Sequence, residues 1–197
     1  MVGMPKEELR IYCNRLRPFL VASVATFAVG AIIGLMLVNH FPQLTESFEE
    51  SLNTFITGFR GLPKTKLAAA IFLNNSIKTL IVIVFGALVG VIPAVFLVVN
   101  GAALGAVMAL SAHSRGLWVS LLSVAPHGVL ELPAVFLGTA IGLMIGKGVL
   151  QRIFSKSEIT LRAELGRAFR FFTLIIVPIL FIAAIVEAYV TAALVGR

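Results

Sequence analysis

Apolar residues in this chain come in long unbroken runs, and the few polar positions fall mostly between them. From Pro18 to Asn39 no charged side chain occurs, and Gly30 and Gly34 share one helical face. An α-helix needs about 20 predominantly apolar residues to cross a hydrocarbon core, so this run predicts a first crossing. Residues 67 to 110 are too long for one crossing, and Lys78 is their only charge. A natural break at Gly90 to Pro93 predicts two crossings, 68 to 90 and 93 to 112, joined by a tight connection. The "HSRG" of 113 to 116 interrupts the pattern, and Leu117 to Gly146 again exceeds a simple span. Pro126 predicts a division there, into an interfacial or re-entrant piece over 117 to 125 and a fourth crossing that ends by Lys147. Phe171 to Val195 supplies the fifth.

Outside these runs the period becomes amphipathic. Pro5, Glu7 and Glu8 open a stretch that places Leu9, Tyr12, Cys13 and Leu16 at helical spacing, which predicts a short interfacial helix over 5 to 16. In the segment 40 to 66, Leu44, Phe48, Leu52, Phe55, Ile56 and Phe59 form a stripe, and Ser47 with Glu50 has the spacing of a capping box. An amphipathic helix lying on the outer surface or capping the bundle is expected there. Ser155 and Glu158 repeat the capping-box spacing ahead of Leu161, Leu165, Ala168, Phe169 and Phe172. The whole chain, 1 to 197, reads as one integral membrane domain. Its expected fold class is all-α, a polytopic membrane helix bundle of about five transmembrane helices with interfacial amphipathic helices. Residues 1 to 17 are expected as a cytoplasmic interfacial helix, 40 to 66 as an outer segment and 147 to 170 as a basic cytoplasmic segment.

Composition agrees: 59% of residues are hydrophobic and only 13% charged, against about 25% charged in soluble domains. The charge distribution adds orientation. Ten of the sixteen basic residues, Lys6, Arg10, Arg15, Arg17, Lys147, Arg152, Lys156, Arg162, Arg167 and Arg170, precede the first crossing or lie between the fourth and fifth. The positive-inside rule places both segments in the cytoplasm, and five crossings then put the carboxyl terminus outside. The chain is thus expected as a multi-pass protein of the cell membrane whose first span is retained rather than cleaved. The net charge of +7 is explained by anionic lipid headgroups at the inner leaflet. Nucleic acid is not expected as a partner, because no aromatic-basic surface supports it. The single cysteine, Cys13, excludes an internal disulfide.

Glycines four apart recur as Gly30/Gly34, Gly86/Gly90, Gly101/Gly105, Gly138/Gly142 and Gly142/Gly146. Such spacing lets helix backbones approach closely. It serves internal packing or assembly into a homo-oligomer equally well.

Few strongly polar side chains lie within the runs: Asn74, Asn75, Lys78, Asn100, His127, Glu131 and Glu187. Ionisable groups at mid-membrane cost about 2.5 to 3.5 kcal/mol each, so each calls for a partner or a watery cavity. His127 and Glu131 are four apart and share a helix face, while Pro133 frees the carbonyl of Val129 beside them. Counted from the inner ends of their spans, Asn75, Glu131 and Glu187 are expected in one layer about 22 to 24 Å deep. The candidate binding pocket is Asn75, Lys78, Asn100, His127, Glu131, Glu187 and Tyr189, with Thr191 extending its edge. Three uses compete: a structural lock between helices, a divalent metal site such as zinc on His127, Glu131 and Glu187, or a proton or substrate relay in a transporter. His40 and His113 at span ends, and Trp118 in an interfacial aromatic belt, are explained by hydration and position. Aspartate is absent from the chain, and no phosphate loop, dinucleotide fingerprint or nucleophile elbow occurs.

The segments "FLNNSIKT" (72 to 79), "NGAALG" (100 to 105), "APHGVLELPAVFLGTAIGL" (125 to 143) and "IVEAYVT" (185 to 191) resemble the stage II sporulation protein M family. The likeness extends from about Arg15 to Thr191. It implies a polytopic protein of about five spans, and for the namesake a scaffold that holds peptidoglycan-degrading partners at the engulfing membrane of spore formers. It implies protein partners and no catalytic residue, so an enzyme is the less expected outcome. The matching Asn75, Asn100, Gly101, His127, Gly128, Glu131 and Glu187 would mark a shared pocket.

Overall fold

A computed structural model describes residues 5–59, 61–154 and 160–191, and among these every regular element is helical. The elements are α1 (Lys6–His40), α2 (Pro42–Phe59), α3 (Lys64–Phe85), α4 (Val91–Arg115), α5 (Leu117–Phe154), α6 (Leu161–Phe171) and α7 (Val177–Val186). Two π-helical turns, Phe172–Ile176 and Glu187–Thr191, make α6, α7 and their continuation one rod. Five helical stretches are long and apolar enough to cross a membrane: Lys6–His40, Lys64–Phe85, Val91–His113, Glu131–Phe154 and Leu161–Tyr189. The protein is an all-α membrane bundle, as the apolar runs require.

Three expected boundaries are corrected, all in the direction of longer helices. Residues 5 to 16 are no separate interfacial helix, because α1 runs without interruption through Pro18. Residues 117 to 125 are no separate piece either, because α5 is one helix of 38 residues that contains Pro126 and Pro133. A proline removes one backbone bond, but breaking the helix in hydrocarbon would strand several more polar groups without water. The third correction concerns Ser47, which lies inside α2 and donates to the Gln43 carbonyl at 3.3 Å instead of capping the helix. Ser155 and Glu158 lie outside the described residues. The described cap of α6 is Thr160, whose hydroxyl accepts from the Ala163 amide at 3.4 Å.

The tight connection between the second and third crossings occupies 86 to 90, where Val89 and Gly90 both have positive φ, 57° and 76°. A β-branched residue is uncommon there, and the turn is held from below. Gly146 has no side chain, so α5 lies directly under the backbone of Gly90 and Val89. At the other end Gly116, with φ 84°, separates α4 from α5, and the buried Ser120 hydroxyl donates to the Gly116 carbonyl at 2.9 Å.

The main interface joins α1 to α4. A methyl at Gly30 would lie 2.5 Å from the Val98 carbonyl oxygen, and methyls at Gly34, Gly101 and Gly105 would fall on the carbonyls of Ala102, Phe27 and Ala31. Residue numbers rise together along both helices, so α1 and α4 are parallel. Helices α3 and α5 are parallel too: Thr79 fills the space at Gly138, Gly86 lies on Gly142, and Gly90 on Gly146. The last rod is antiparallel to α3, since Phe72 meets Phe181 with centroids 5.6 Å apart and Lys64 lies 5.5 Å from the centre of the Tyr189 ring. Directions alternate through five crossings.

Helix α5 is the axis of the bundle. Ala134, Ala140, Ile141 and Ile145 are wholly or almost wholly buried, with Ile83, Phe172, Ile176 and Leu180 packed into the same core. By contrast Val21, Ile32, Met36, Leu73, Ile77, Leu88, Val95, Val99, Phe181 and Ile182 are exposed. So broad an apolar exterior suits hydrocarbon, not water.

Candidate functional site

The register of α3, α5 and the last rod sets the depth of each candidate residue. The Thr79/Gly138 contact sets Phe72 opposite Glu131, the Gly86/Gly142 backbone contact sets Asn75 opposite it, and Phe72 meets Phe181. Asn75, Glu131 and Phe181 therefore lie within about one helical turn of one another in depth. Glu187 stands six residues beyond Phe181, about 9 Å nearer the Gly116 end by helical rise. The expected single layer is thus a staircase whose far step is Glu187. One layer would require Gly90 and Phe171 to stand at one height. In the structure α3 ends at Phe85 in a turn, and the last rod begins at Leu161 well before Phe171.

Glu131 is buried at 6% exposure on the central helix. Glu187 is half-buried and opens the second π-helical turn, which packs against both α3 and α5. Asn75 is half-buried and its Oδ1 accepts from Asn74 Nδ2 at 3.3 Å. Asn100 lies on α4 and donates to the Phe96 carbonyl of its own helix at 2.7 Å. Lys78 is exposed on α3, and Tyr189 is exposed with its ring under Lys64. The backbone at 127 continues α5 one turn outward of Glu131, but the His127 side chain lies outside the described residues. Among the described residues, no three of His, Cys and Glu stand close enough to hold a metal ion. His40 and His113 are exposed near the ends of α1 and α4, and Trp118 is 78% exposed in the first turn of α5.

The first π-helical turn has a local cause. Pro178 cannot donate, and its ring would press on the Leu174 carbonyl in an α-helix. The chain widens upstream instead, with the Val177 amide bonding the Phe172 carbonyl. π-Helical turns are found often at functional sites, and the second begins at Glu187.

Two polar features are absent from the sequence reading. Ser23 and Thr139, both buried, join α1 to α5 through hydroxyls 3.3 Å apart. The second is a clasp at the end of the bundle where the basic segments meet. There Glu164 Oε1 accepts from Arg15 at 2.9 Å and from Arg167 at 2.7 Å, beside a buried Tyr12 whose ring is 5.4 Å from that of Phe171. The two segments lie at one end of the molecule, as their charge asymmetry requires. The available signal was Glu164 with Arg167 three residues on, on the apolar face of α6.

The sequence profile of the family described as stage II sporulation protein M matches residues 23–192. An uncharacterized protein of Methanocaldococcus jannaschii is 23% identical over 174 residues, which cover 87% of this chain and 93% of that protein. No solved structure matches.

Proposed function

We propose, from the premise that this chain belongs to the stage II sporulation protein M family, that it is an integral membrane scaffold or complex subunit. It holds protein partners at the cell membrane, with its amino terminus and the 147 to 170 segment in the cytoplasm and its carboxyl terminus outside. One observation carries the reading: crossings packed backbone on backbone leave the eighteen-residue α2 beside the bundle, packed mainly on α1. On α2, Glu46, Glu49 and Glu50 are exposed, a face suited to a basic partner surface. Within the bundle, Asn75, Glu131 and Glu187 serve as a polar lock between α3, α5 and the last rod, with His127 as a further candidate.

Photo-crosslinking from Thr54 in native membranes tests this. The expected result is a discrete adduct that disappears in the triple variant Glu46→Lys, Glu49→Lys, Glu50→Lys while the melting temperature of the purified variant is unchanged. Absence of an adduct would remove α2 as the docking element, and an adduct insensitive to charge reversal would remove its acidic face as the recognition surface. The lock also predicts that Glu131→Gln folds and retains the adduct.

A second reading, a transporter-like or metal-dependent protein using the same staircase, draws on the π-helical turn at Glu187 and the burial of Glu131. It requires proton or substrate flux in liposomes that fails in Glu131→Gln, or stoichiometric metal lost in His127→Ala. Purified protein with neither property leaves the scaffold reading in place.

A further inference from the structure

A cavity of about 240 Å³ opens between the first half of α1, the last turns of α5 and the start of α6. Its polar lining includes Arg15, Lys147, Arg152 and Glu164, and its apolar wall includes Phe19 and Met144. The charges do not cancel. Glu164 is already shared between Arg15 and Arg167, and among the described residues neither Lys147 nor Arg152 meets a carboxylate. Lys147 Nζ is placed 5.7 Å from the centre of the Phe19 ring, a cation–π contact that holds the ammonium at the cavity. Leu161, at the first turn of α6, also lines the space, so the positive end of that helix adds to the field.

Depth selects the ligand. Pro18 and Phe19 begin the charge-free run of α1, and Lys147 ends that of α5, so the cavity lies at the boundary between hydrocarbon and headgroups. Cations beside an apolar wall at that depth match an amphiphile with a phosphate. A free anion would gain nothing from Phe19 and Met144. The volume equals several times a water's share of about 30 Å³, enough for a headgroup while the tails lie along exposed apolar side chains of α1 such as Val21, which is 70% exposed.

We infer that this cavity is a site for the phosphate headgroup of one anionic phospholipid, held by Lys147 and Arg152 with Arg15 behind them. Basic pockets between membrane helices have this chemistry. The assignment is independent of the scaffold reading, because it uses only the local charge and depth.

The test is thermal unfolding of the full chain in neutral detergent, titrated with phosphatidylglycerol, phosphatidylcholine or inorganic phosphate. Phosphatidylglycerol is expected to raise the melting temperature saturably, and the other two are not. The half-saturating concentration should rise at least tenfold in Lys147→Gln/Arg152→Gln and measurably in Arg152→Gln alone. Arg162→Gln, an exposed α6 cation outside the cavity lining, should behave as the parent does. Equal stabilisation by phosphatidylcholine, an equal shift with inorganic phosphate, or an Arg162→Gln effect as large as that of the cavity variants would each overturn the site. Arg152 is exposed near the end of α5, so its single variant keeps the experiment decisive if the double variant fails to fold.

Discussion

A methyl group is enough to disturb this structure at some glycines and is irrelevant at others. At Gly34 the missing Cβ position is occupied by the Ala102 carbonyl, whereas at Gly166 nothing lies within 4 Å. The same substitution should therefore have opposite outcomes in thermal unfolding. Gly34→Ala is expected to destabilise by about 1 to 3 kcal/mol, the range for overpacking, and Gly166→Ala to be neutral or stabilising by up to about 1 kcal/mol through helix propensity. Equal effects would show that α1 and α4 do not pack on their glycine faces. The Glu164 clasp makes a second demand. Its carboxylate is largely buried but Arg15 is 40% exposed, so solvent screening reduces the cost of losing it. Glu164→Ala should cost about 1 to 2 kcal/mol, and denaturant unfolding in detergent measures it. The Ser23 and Thr139 hydroxyls belong to the smaller class of interhelical bonds, for which a double-mutant cycle should return about 0.6 kcal/mol.

Element by element, apolar run length located the crossings and misplaced several of their ends. The charge-free stretch after Pro18 and the glycine-proline break near residue 90 correspond to a crossing and a turn. Proline was the misleading signal. Pro18, Pro126 and Pro133 all lie inside continuous helices, because in hydrocarbon a lost backbone bond is cheaper than a broken helix. The first π-helical turn had no sequence signature beyond Pro178, since its cause is the steric demand of that ring on the preceding turn, and no residue in the sequence marks the second. These end errors propagated into the site. Depths counted from assumed span ends put Asn75, Glu131 and Glu187 in one layer, whereas packing registers stagger Glu187 from the other two. Serine and threonine were invisible for a different reason: Ser23 and Thr139 satisfy themselves within and between helices, so they sit in apolar runs without interrupting them.

In the molecule as a whole, two basic segments meet at one end of a five-crossing bundle, and α2 follows a single crossing. The Arg15–Glu164 contact joins the two segments, and the positive-inside rule predicts a cytoplasmic location for that end. Family membership over 23–192 makes the chain a stage II sporulation protein M-like membrane protein, and the scaffold proposed for it would dock partners on the exposed acidic face of α2. Cys13 provides the direct test, being the chain's single cysteine and exposed. The measurement is labelling with a membrane-impermeant maleimide, applied to the natural chain and to Cys13→Ser/Thr54→Cys. Cys13 is expected to react in inverted vesicles and not in intact cells, and the cysteine at position 54 in intact cells and not in inverted vesicles. Both positions reacting from the same side would contradict the topology, and with it the placement of partners outside and basic segments within.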